Sequence, residues 1–272
     1  MFSNDPLYST ITLPEKREFQ IKQFTRKNDE YWHIRNHYHD IYEIVLYEEI
    51  HGYVYINGFK TTISRDKLLY LPPYAVHGFD LQPKTNSYTV LHLSPLFLNH
   101  REEITSLPSS PMVLNMEEYS YDMVSSLFNW GGEKRFPHSV RHETILMILL
   151  WIIEQNSHSD AFESDSRSFT RMLKLIDRQK NYTIKVEDAA HICNMSRSSF
   201  CDHFKKQFGT SFNRFLQEKR IEKSQYLLIN TKKSCTEIAA DLEFSDASHF
   251  SRLFKKHTGI LPGEFRKRLI DR

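Results

Sequence analysis

The period of the apolar residues changes along this chain, and each period predicts a different kind of element. Between Tyr31 and Leu98 they fall in short runs rich in aromatic and β-branched side chains: Ile41–Tyr47, Gly52–Gly58, Leu68–Leu71 and Tyr88–Leu93. Runs of that length and composition predict strands. Asn57-Gly58 is a two-residue hairpin signal, and Pro72-Pro73 closes the next strand. Many short strands at this spacing predict a small β-barrel or jelly roll. Ahead of them, residues 1–30 hold Pro6, Pro14 and little periodicity, which predicts an irregular arm.

From Glu117 the spacing turns helical. Glu117–Asn129 carries Met123 and Leu127, with Trp130 just beyond, on one predicted face. His138–Gln155 carries Ile145, Ile148, Leu149 and Ile152, and the Gly131-Gly132 break between the two predicts an αα-hairpin. Trp151 and Ile153 make the second helix apolar on more than one side. Such a helix needs two partners: the sheet is one, and a second subunit or the following domain is the other. Asn156–Ser168 is acidic, Ser-rich and poor in apolar residues, the composition of a flexible linker. The predicted organisation is a β-rich domain over residues 1–156, a linker over 157–167 and an all-α domain over 168–272, an α+β chain.

Within the last domain the sequence repeats itself. Met195–Gly209 and Phe244–Gly259 each have a small polar start, a Phe pair at i,i+4, then Phe-Lys-Lys, two residues and Gly. Phe200 with Phe204, and Phe250 with Phe254, give each helix an inner face. Ser196 and Asp246 are the expected N-caps, and Gly209 and Gly259 the expected left-handed stops. Shorter helices, Val186–Ile192 and Cys235–Leu242, precede them across tight turns. The pattern is helix-turn-helix twice, about fifty residues apart.

Charge sharpens this division. The net charge is only +2, but residues 167–272 hold 22 Lys and Arg against 12 Asp and Glu, whereas residues 1–166 hold 14 against 22. A basic half carrying helix-turn-helix patterns is an electrostatic footprint for DNA phosphates. Three cysteines, Cys193, Cys201 and Cys235, at no metal-like spacing fit a reducing compartment. Met1–Gln20 lacks a signal-like apolar run and Thr144–Ile153 is too short to span a bilayer, so a cytoplasmic protein with no membrane contact is expected. No Ser/His/Asp order, phosphate loop or Cys-x-x-Cys is present, so no enzyme and no cofactor is expected.

The repeat resembles the DNA-binding domain of the AraC/XylS family of bacterial transcription regulators. The residues that carry the resemblance are Ala189-Ala190, Cys193–Ser196 and Phe204-Lys-Lys-x-x-Gly209, then Ile238–Ala240, Phe244–Lys256, Gly259 and Pro262-x-x-Phe-Arg266. Ser211–Asn230 between them matches the family's linker helix, through Phe215, Arg220, Ser224 and Leu227-Leu228. Glu243 departs from the pattern: the family carries Gly there, and a Glu held at positive φ would be strained and the turn distorted. The resemblance implies a ligand-responsive regulator of double-stranded DNA. It further implies an N-terminal arm over the ligand pocket, an antiparallel helical homodimer interface and work alongside RNA polymerase. Activation, and a sugar effector from carbohydrate-utilisation genes, follow from the same analogy.

Base reading uses the outward side chains near the start of each second helix. With the Phe pairs inward, the first set is Arg197, Ser198, Cys201 and Asp202, with Lys205 beside it; the second is Ala247, Ser248, Ser251 and Arg252, flanked by His249 and Lys255. The family resemblance places base contacts at Ser198, Asp202, Ser248 and Arg252. Arg252 suits guanine, whose O6 and N7 it can hold together. Asp202 has two readings, acceptance from cytosine N4 or pairing with Lys205 or Lys206. Lys206, Lys256, Lys232 and Lys233 fit phosphate contacts, which position the protein without reading sequence.

The N-terminal domain resembles the cupin domain of such regulators at His37-x-His39-x-x-x-Glu43 and Leu71-Pro-Pro-x-x-x-His77. His37, His39, Glu43 and His77 resemble the ligand set of cupin metalloenzymes. They also suit the polar lining of a small-molecule pocket with Tyr47, Tyr55, Phe79 and His92 as walls. A third reading has the histidines tie loops at the barrel mouth. The lining reading is the expectation, with no metal. A cupin metalloenzyme fused to a DNA-binding domain, or a sensor of a protein partner, are the alternatives.

Overall fold

The computed structural model describes residues 13, 18–27, 30–99, 104, 107–156, 160–161, 166–180 and 182–270. It divides into two compact units, Met1–Thr170 and Arg171–Arg272. Most of the expected arm and of the expected linker lies outside the described residues.

Two antiparallel sheets build the first unit. The larger contains β1 (Phe19–Lys27), β3 (Tyr42–Glu49), β6 (Lys67–Leu71), β8 (Thr85–Leu93), β9 (Met112–Asn115) and the two-residue β10 (Asp160–Ala161), in the order β1-β8-β3-β6-β9-β10. The smaller contains β2 (Trp32–His37), β4 (Gly52–Ile56), β5 (Phe59–Ile63) and β7 (His77–Leu81), in the order β2-β7-β4-β5. Alternation decides which side chains meet. Val45, Tyr47, Leu69 and Val90 of the large sheet are buried with Ile34, Val54, Ile56 and Leu81 of the small one, so the sheets lie face to face. The other face of the large sheet, with Ile44, Leu46, Leu68 and Leu91, packs under α1 (Glu118–Gly132) and α2 (His138–Gln155). No ladder joins the sheets among the described residues, so this is a two-sheet sandwich rather than a closed barrel.

The Asn57-Gly58 hairpin forms as expected: Asn57 (φ 48) and Gly58 (φ 83) turn β4 into β5. Three expectations need correction. Residues 1–30 are not irregular throughout, because β1 pairs along its whole length with β8 and buries Phe19 in the core. Its sparse apolar residues concealed an edge strand whose pairing, rather than its composition, holds it. Helix α1 runs through Gly131 to Gly132 instead of ending at Asn129. A Cβ on Gly131 would lie 2.9 Å from Ile21 Cδ1 and 3.0 Å from Ile145 Cδ1, so glycine there allows close packing rather than a break. Trp130 is 52 % exposed, and Tyr121, Val124 and Phe128 join Leu127 in the buried face.

The second unit contains α4 (Val186–Ile192), α5 (Arg197–Phe208), α6 (Phe212–Asn230), α7 (Cys235–Asp241), α8 (Ala247–Thr258) and α9 (Pro262–Ile270). Before them, α3 (Ser166–Gln179) crosses the division between the units and buries Met172, Leu173 and Ile176. Phe200, Phe204, Phe208, Phe212 and Phe215 form one aromatic cluster, and Phe244, Phe250, Phe254 and Phe265 another. Full burial of one such side chain contributes about 1.5–3 kcal/mol, so these clusters fix the helices that carry the candidate reading residues.

Candidate functional site

Between the two sheets of the first unit, four histidines gather around one carboxylate. Glu43 on β3 and His92 on β8 are direct register partners, and both point to the inner face that Val45 and Val90 define. His77 opens β7 on the opposite sheet, His37 ends β2, and His39 lies in the short link to β3. Glu43 Oε2 lies 3.1 Å from His39 Nε2 and 3.1 Å from His92 Nε2, and Oε1 lies 3.8 Å from His77 Nε2. The His37 and His77 rings lie 4.3 Å apart. Glu43, His39, His77 and His92 are all buried.

Backbone carbonyls orient three of these rings. His37 Nδ1 lies 3.0 Å from the Arg35 carbonyl, His39 Nδ1 2.9 Å from that of Ile41, and His77 Nδ1 3.0 Å from that of Ala75. A carbonyl only accepts, so each Nδ1 carries a proton and each Nε2 is left to face the cluster. Burial pushes the Glu43 carboxyl up, but hydrogen bonds from His39 and His92 outweigh it and hold the group well below the ordinary carboxylate range. Burial, reinforced by His37, holds His77 well below the ordinary histidine value, so its ring is neutral. Its Nε2 has no hydrogen-bond partner. Tyr47, also buried on β3, is pushed well above its ordinary value by burial and by the Glu43 charge, and its hydroxyl likewise has no partner.

Of the other expected wall residues, Phe79 lies beside His77, with ring centroids 6.1 Å apart. Tyr55 is elsewhere. Val54 and Ile56 on either side of it point between the sheets, so Tyr55 faces outward, where its hydroxyl donates to Asp80 Oδ2 at 2.6 Å. That bond, with burial and the Asp80 charge, pushes its hydroxyl up to about 12. Asp80 also pairs with His33, forming an outer-face cluster that the sequence reading did not include. Glu43 and His92 appear unrelated along the chain; only strand parity and register bring them together.

The second unit presents two candidate reading surfaces built alike. Helix α5 starts at Ser196, whose Oγ accepts from Ser199 N at 3.2 Å, and stops at Gly209 (φ 67). Helix α8 starts at Asp246, whose Oδ1 accepts from His249 N at 2.7 Å, and stops at Gly259 (φ 81). Phe200, Phe204, Phe250 and Phe254 are fully buried, which leaves Arg197, Ser198, Cys201, Asp202, Lys205 and Lys206 exposed on α5. On α8, Ser248, Arg252, Lys255 and Lys256 are exposed, while Ala247, His249 and Ser251 are half-buried. Arg197 pairs with Glu187 at 3.0 Å, and His249 Nδ1 lies 3.0 Å from Ser245 Oγ. The turns before both helices close identically. Asn194 N donates to the His191 carbonyl at 3.0 Å and Met195 N to that of Ala190 at 2.9 Å; Glu243 N donates to Ala240 at 3.0 Å and Phe244 N to Ala239 at 2.9 Å. Glu243 does hold positive φ (55), yet the turn is not distorted. Arg220 of α6 supports it, with Nη1 3.2 Å from the Glu243 carbonyl and the guanidinium 4.8 Å from the Phe244 ring.

A sheet domain enclosing a polar cluster, followed by paired helix-turn-helix units with basic, exposed second helices, defines a ligand-responsive DNA-binding regulator. Residues 24–173 match the AraC-like ligand binding domain, and residues 189–268 match a helix-turn-helix domain. The chain belongs to the AraC family of transcription regulators. It is 25 % identical over 241 residues to the HTH-type transcriptional activator RhaS of Escherichia coli O81 (strain ED1a), covering 85 % of this chain and 87 % of that one. Its fold is similar to ToxT of Vibrio cholerae (TM-score 0.51, 13 % identity, 92 % of this chain and 98 % of ToxT). It is similar also to wild-type ToxT of Vibrio cholerae strain SCE256 with bound unsaturated fatty acid (TM-score 0.51, 15 % identity, 91 % and 94 %). Among the described residues no helix is long and apolar enough to cross a membrane.

Proposed function

We propose that this regulator is an activator whose domain over residues 1–156 binds a small polar effector between its sheets, and whose domain over residues 168–272 reads an operator with α5 and α8. The observation that carries the effector reading is the buried cluster of Glu43, His39, His77 and His92. Buried polar atoms without a partner are expensive, so His77 Nε2 and the Tyr47 hydroxyl favour a hydroxylated molecule beside them, a sugar foremost. Activation is supported by the likeness to RhaS, which is named an activator. The fatty acid held by ToxT shows that a related fold holds an apolar acid; the polar cluster here favours a different class.

On the DNA side, Ser198, Asp202, Ser248 and Arg252 contact base edges. Arg197, Cys201, Lys205, Lys206, Ala247, His249, Ser251, Lys255 and Lys256 position the helices or touch the backbone. Homodimerisation through α2 is supported by Met147 and Leu150, 57 % and 40 % exposed within the apolar run from Ile145 to Ile153. RNA polymerase is the partner through which bound DNA becomes transcription. A thermal-shift panel of sugars and fatty acids, followed by DNA titration with each hit, tests the reading, since a ligand of the folded state raises its melting temperature. A sugar that raises the melting temperature and changes operator affinity is the expected result; a panel in which only acyl chains do so contradicts it.

A further inference from the structure

We propose that His249 of α8 is a phosphate contact that works only when its imidazole is protonated, with Ser245 as its positioning residue, so that the second helix-turn-helix unit takes up a proton when it binds DNA. The proposal rests on the reading of α8 as a DNA-facing helix. It adds a dependence on pH that Lys and Arg, charged throughout the neutral range, cannot supply.

Three observations carry it. The first is a chain of hydrogen bonds that fixes the ring. Ser245 Oγ donates its one proton to Asp246 Oδ2 at 3.2 Å and lies 3.0 Å from His249 Nδ1. A hydroxyl whose proton is already given can only accept, so Nδ1 carries a hydrogen and Nε2 is the basic nitrogen of the neutral ring. An edge-on contact with Phe244, ring centroids 6.0 Å apart at 78°, holds the same orientation. The second is availability. His249 is half-buried, yet Nε2 makes no hydrogen bond within the protein among the described residues and is not shut away from water. Ser248 and Arg252 beside it are exposed. The third is the surrounding charge. Asp246 and Arg252 flank the ring on α8, exposed Glu243 lies in the turn before it, and α6 brings the Arg220 guanidinium to 4.8 Å from the Phe244 ring. On α7, Glu237 is tied to the Ser234 backbone and Asp241 to Lys233. Helix α9 meets α8 through Phe265 at Phe254, and its Arg266 is bonded to the Leu228 and Lys233 carbonyls. Asp246 is held below the ordinary carboxylate range, chiefly by its bond from His249 N, so its charge is constant while the ring titrates.

These features decide what binding does to the ring. A neutral Nε2 is an acceptor, and so is a phosphate oxygen, so the two share nothing. A protonated Nε2 donates a charge-assisted hydrogen bond and adds one cation against the DNA backbone. Phosphate therefore draws a proton onto Nε2: one N–H bond forms, a buffer acid gives up the proton, and no other bond changes. Binding is tighter on the acid side of the histidine range and weaker on the alkaline side. Ser245 accepts from Nδ1 in both states, so the ring keeps its orientation while its charge changes.

The test uses the full chain and a duplex of unrelated sequence, because phosphate contacts do not read bases. Anisotropy titrations at several salt concentrations cover about pH 6 to pH 8, the range in which histidine changes charge. Uptake of one proton bounds the fall in affinity at about tenfold per pH unit, and His249→Gln is expected to reduce the total fall by about three- to tenfold. At the acid end the same variant lowers the slope of log affinity against log salt by about 0.9, the value of one phosphate contact, and at the alkaline end it leaves the slope unchanged. His249→Lys is expected to keep the acid-end affinity at every pH. Ser245→Ala loses part of the pH dependence and Ser245→Thr restores it. The Asp246 cap uses the backbone N of position 249, so the side-chain changes there leave it in place, and circular dichroism checks each fold. The other histidines are common to all these proteins, so the difference between profiles belongs to His249. A folded His249→Gln with the pH profile and salt slopes of the unaltered protein overturns the proposal and leaves the DNA reading standing. A Ser245→Ala profile equal to the unaltered one overturns the positioning role. If the unaltered protein binds no duplex at any pH, the proposal and the DNA reading both fall.

Discussion

In the first helix-turn-helix unit the residue at positive φ between the helices is Asn194 (φ 55), and in the second it is Glu243 (φ 55). The hydrogen bonds around them agree within 0.1 Å, from 2.9 to 3.0 Å in each turn. Asn tolerates the left-handed region through its short polar side chain; Glu does not gain in that way. What differs is the support, since Arg220 reaches from α6 to the Glu243 carbonyl and lies against Phe244. Equivalent geometry is therefore reached with different support: Arg171 of α3 reaches the Ile192 carbonyl just before the first turn, whereas in the second Arg220 reaches the carbonyl of the positive-φ residue itself. The proposed reading surfaces differ too: six residues beyond the cap, α5 presents Asp202 where α8 presents Arg252. The scaffolds match while the chemistry offered to DNA is opposite in charge.

Removing the scaffold has the largest effect. Phe204→Ala and Phe254→Ala each take a fully buried ring out of one unit. Each is expected to lower the unfolding free energy by about 3–5 kcal/mol, measured by denaturant titration. A loss confined to one variant would break the equivalence of the two cores.

Exchanging the reading chemistry comes next. Arg252→Ala is expected to cost about 1–3 kcal/mol of discrimination at one base pair with the fold intact, in anisotropy titrations against matched and mismatched duplexes. Asp202→Ala is expected to raise affinity for unrelated DNA, because it removes a negative charge that phosphates oppose. Equal losses from both variants would contradict the asymmetry.

The caps separate the units by pH. Ser196→Ala is expected to cost about 1 kcal/mol at any pH, since its hydroxyl does not titrate. Asp246 is held below the ordinary carboxylate range by its bond from His249 N. Its folded pKa is the lower one, so its contribution is complete above the unfolded value and is lost as the pH falls through the folded value. Melting curves of Asp246→Asn and the unaltered protein should therefore converge in acid and separate near neutrality.

The smallest effect refines the turn comparison. Glu243→Gly relieves left-handed strain at the cost of chain entropy, a net gain of about 0.5–1 kcal/mol. Asn194→Gly should change stability less. A destabilised Glu243→Gly would mean that the side chain itself holds the turn.

How much of this was legible in the sequence follows from whether the information was local. The caps, the Phe pairs, the glycine stops and the Asn57-Gly58 hairpin are local, and each appears where spacing placed it. Strand β1 was not legible, because Phe19, Ile21 and Phe24 among polar residues make a weak run, and β8 supplies the pairing from about seventy residues away. Tyr55 was assigned inward on its residue type alone; the buried Val54 and Ile56 put it outside. The Glu43–His92 bond depends on register between distant strands, which no motif spacing encodes. The support of Glu243 by Arg220 was hidden for the same reason.

Helices α5 and α8 are proposed to read two separate DNA segments with different side chains. Selection of preferred sequences from a randomised duplex pool, carried out in parallel with the unaltered protein, Asp202→Ala and Arg252→Ala, tests it most directly. Two preferred segments centred about one helical turn apart are predicted, with Arg252→Ala erasing the preference for guanine in one and Asp202→Ala altering only the other. A selected sequence with one segment, or one that both variants leave unchanged, would contradict the account.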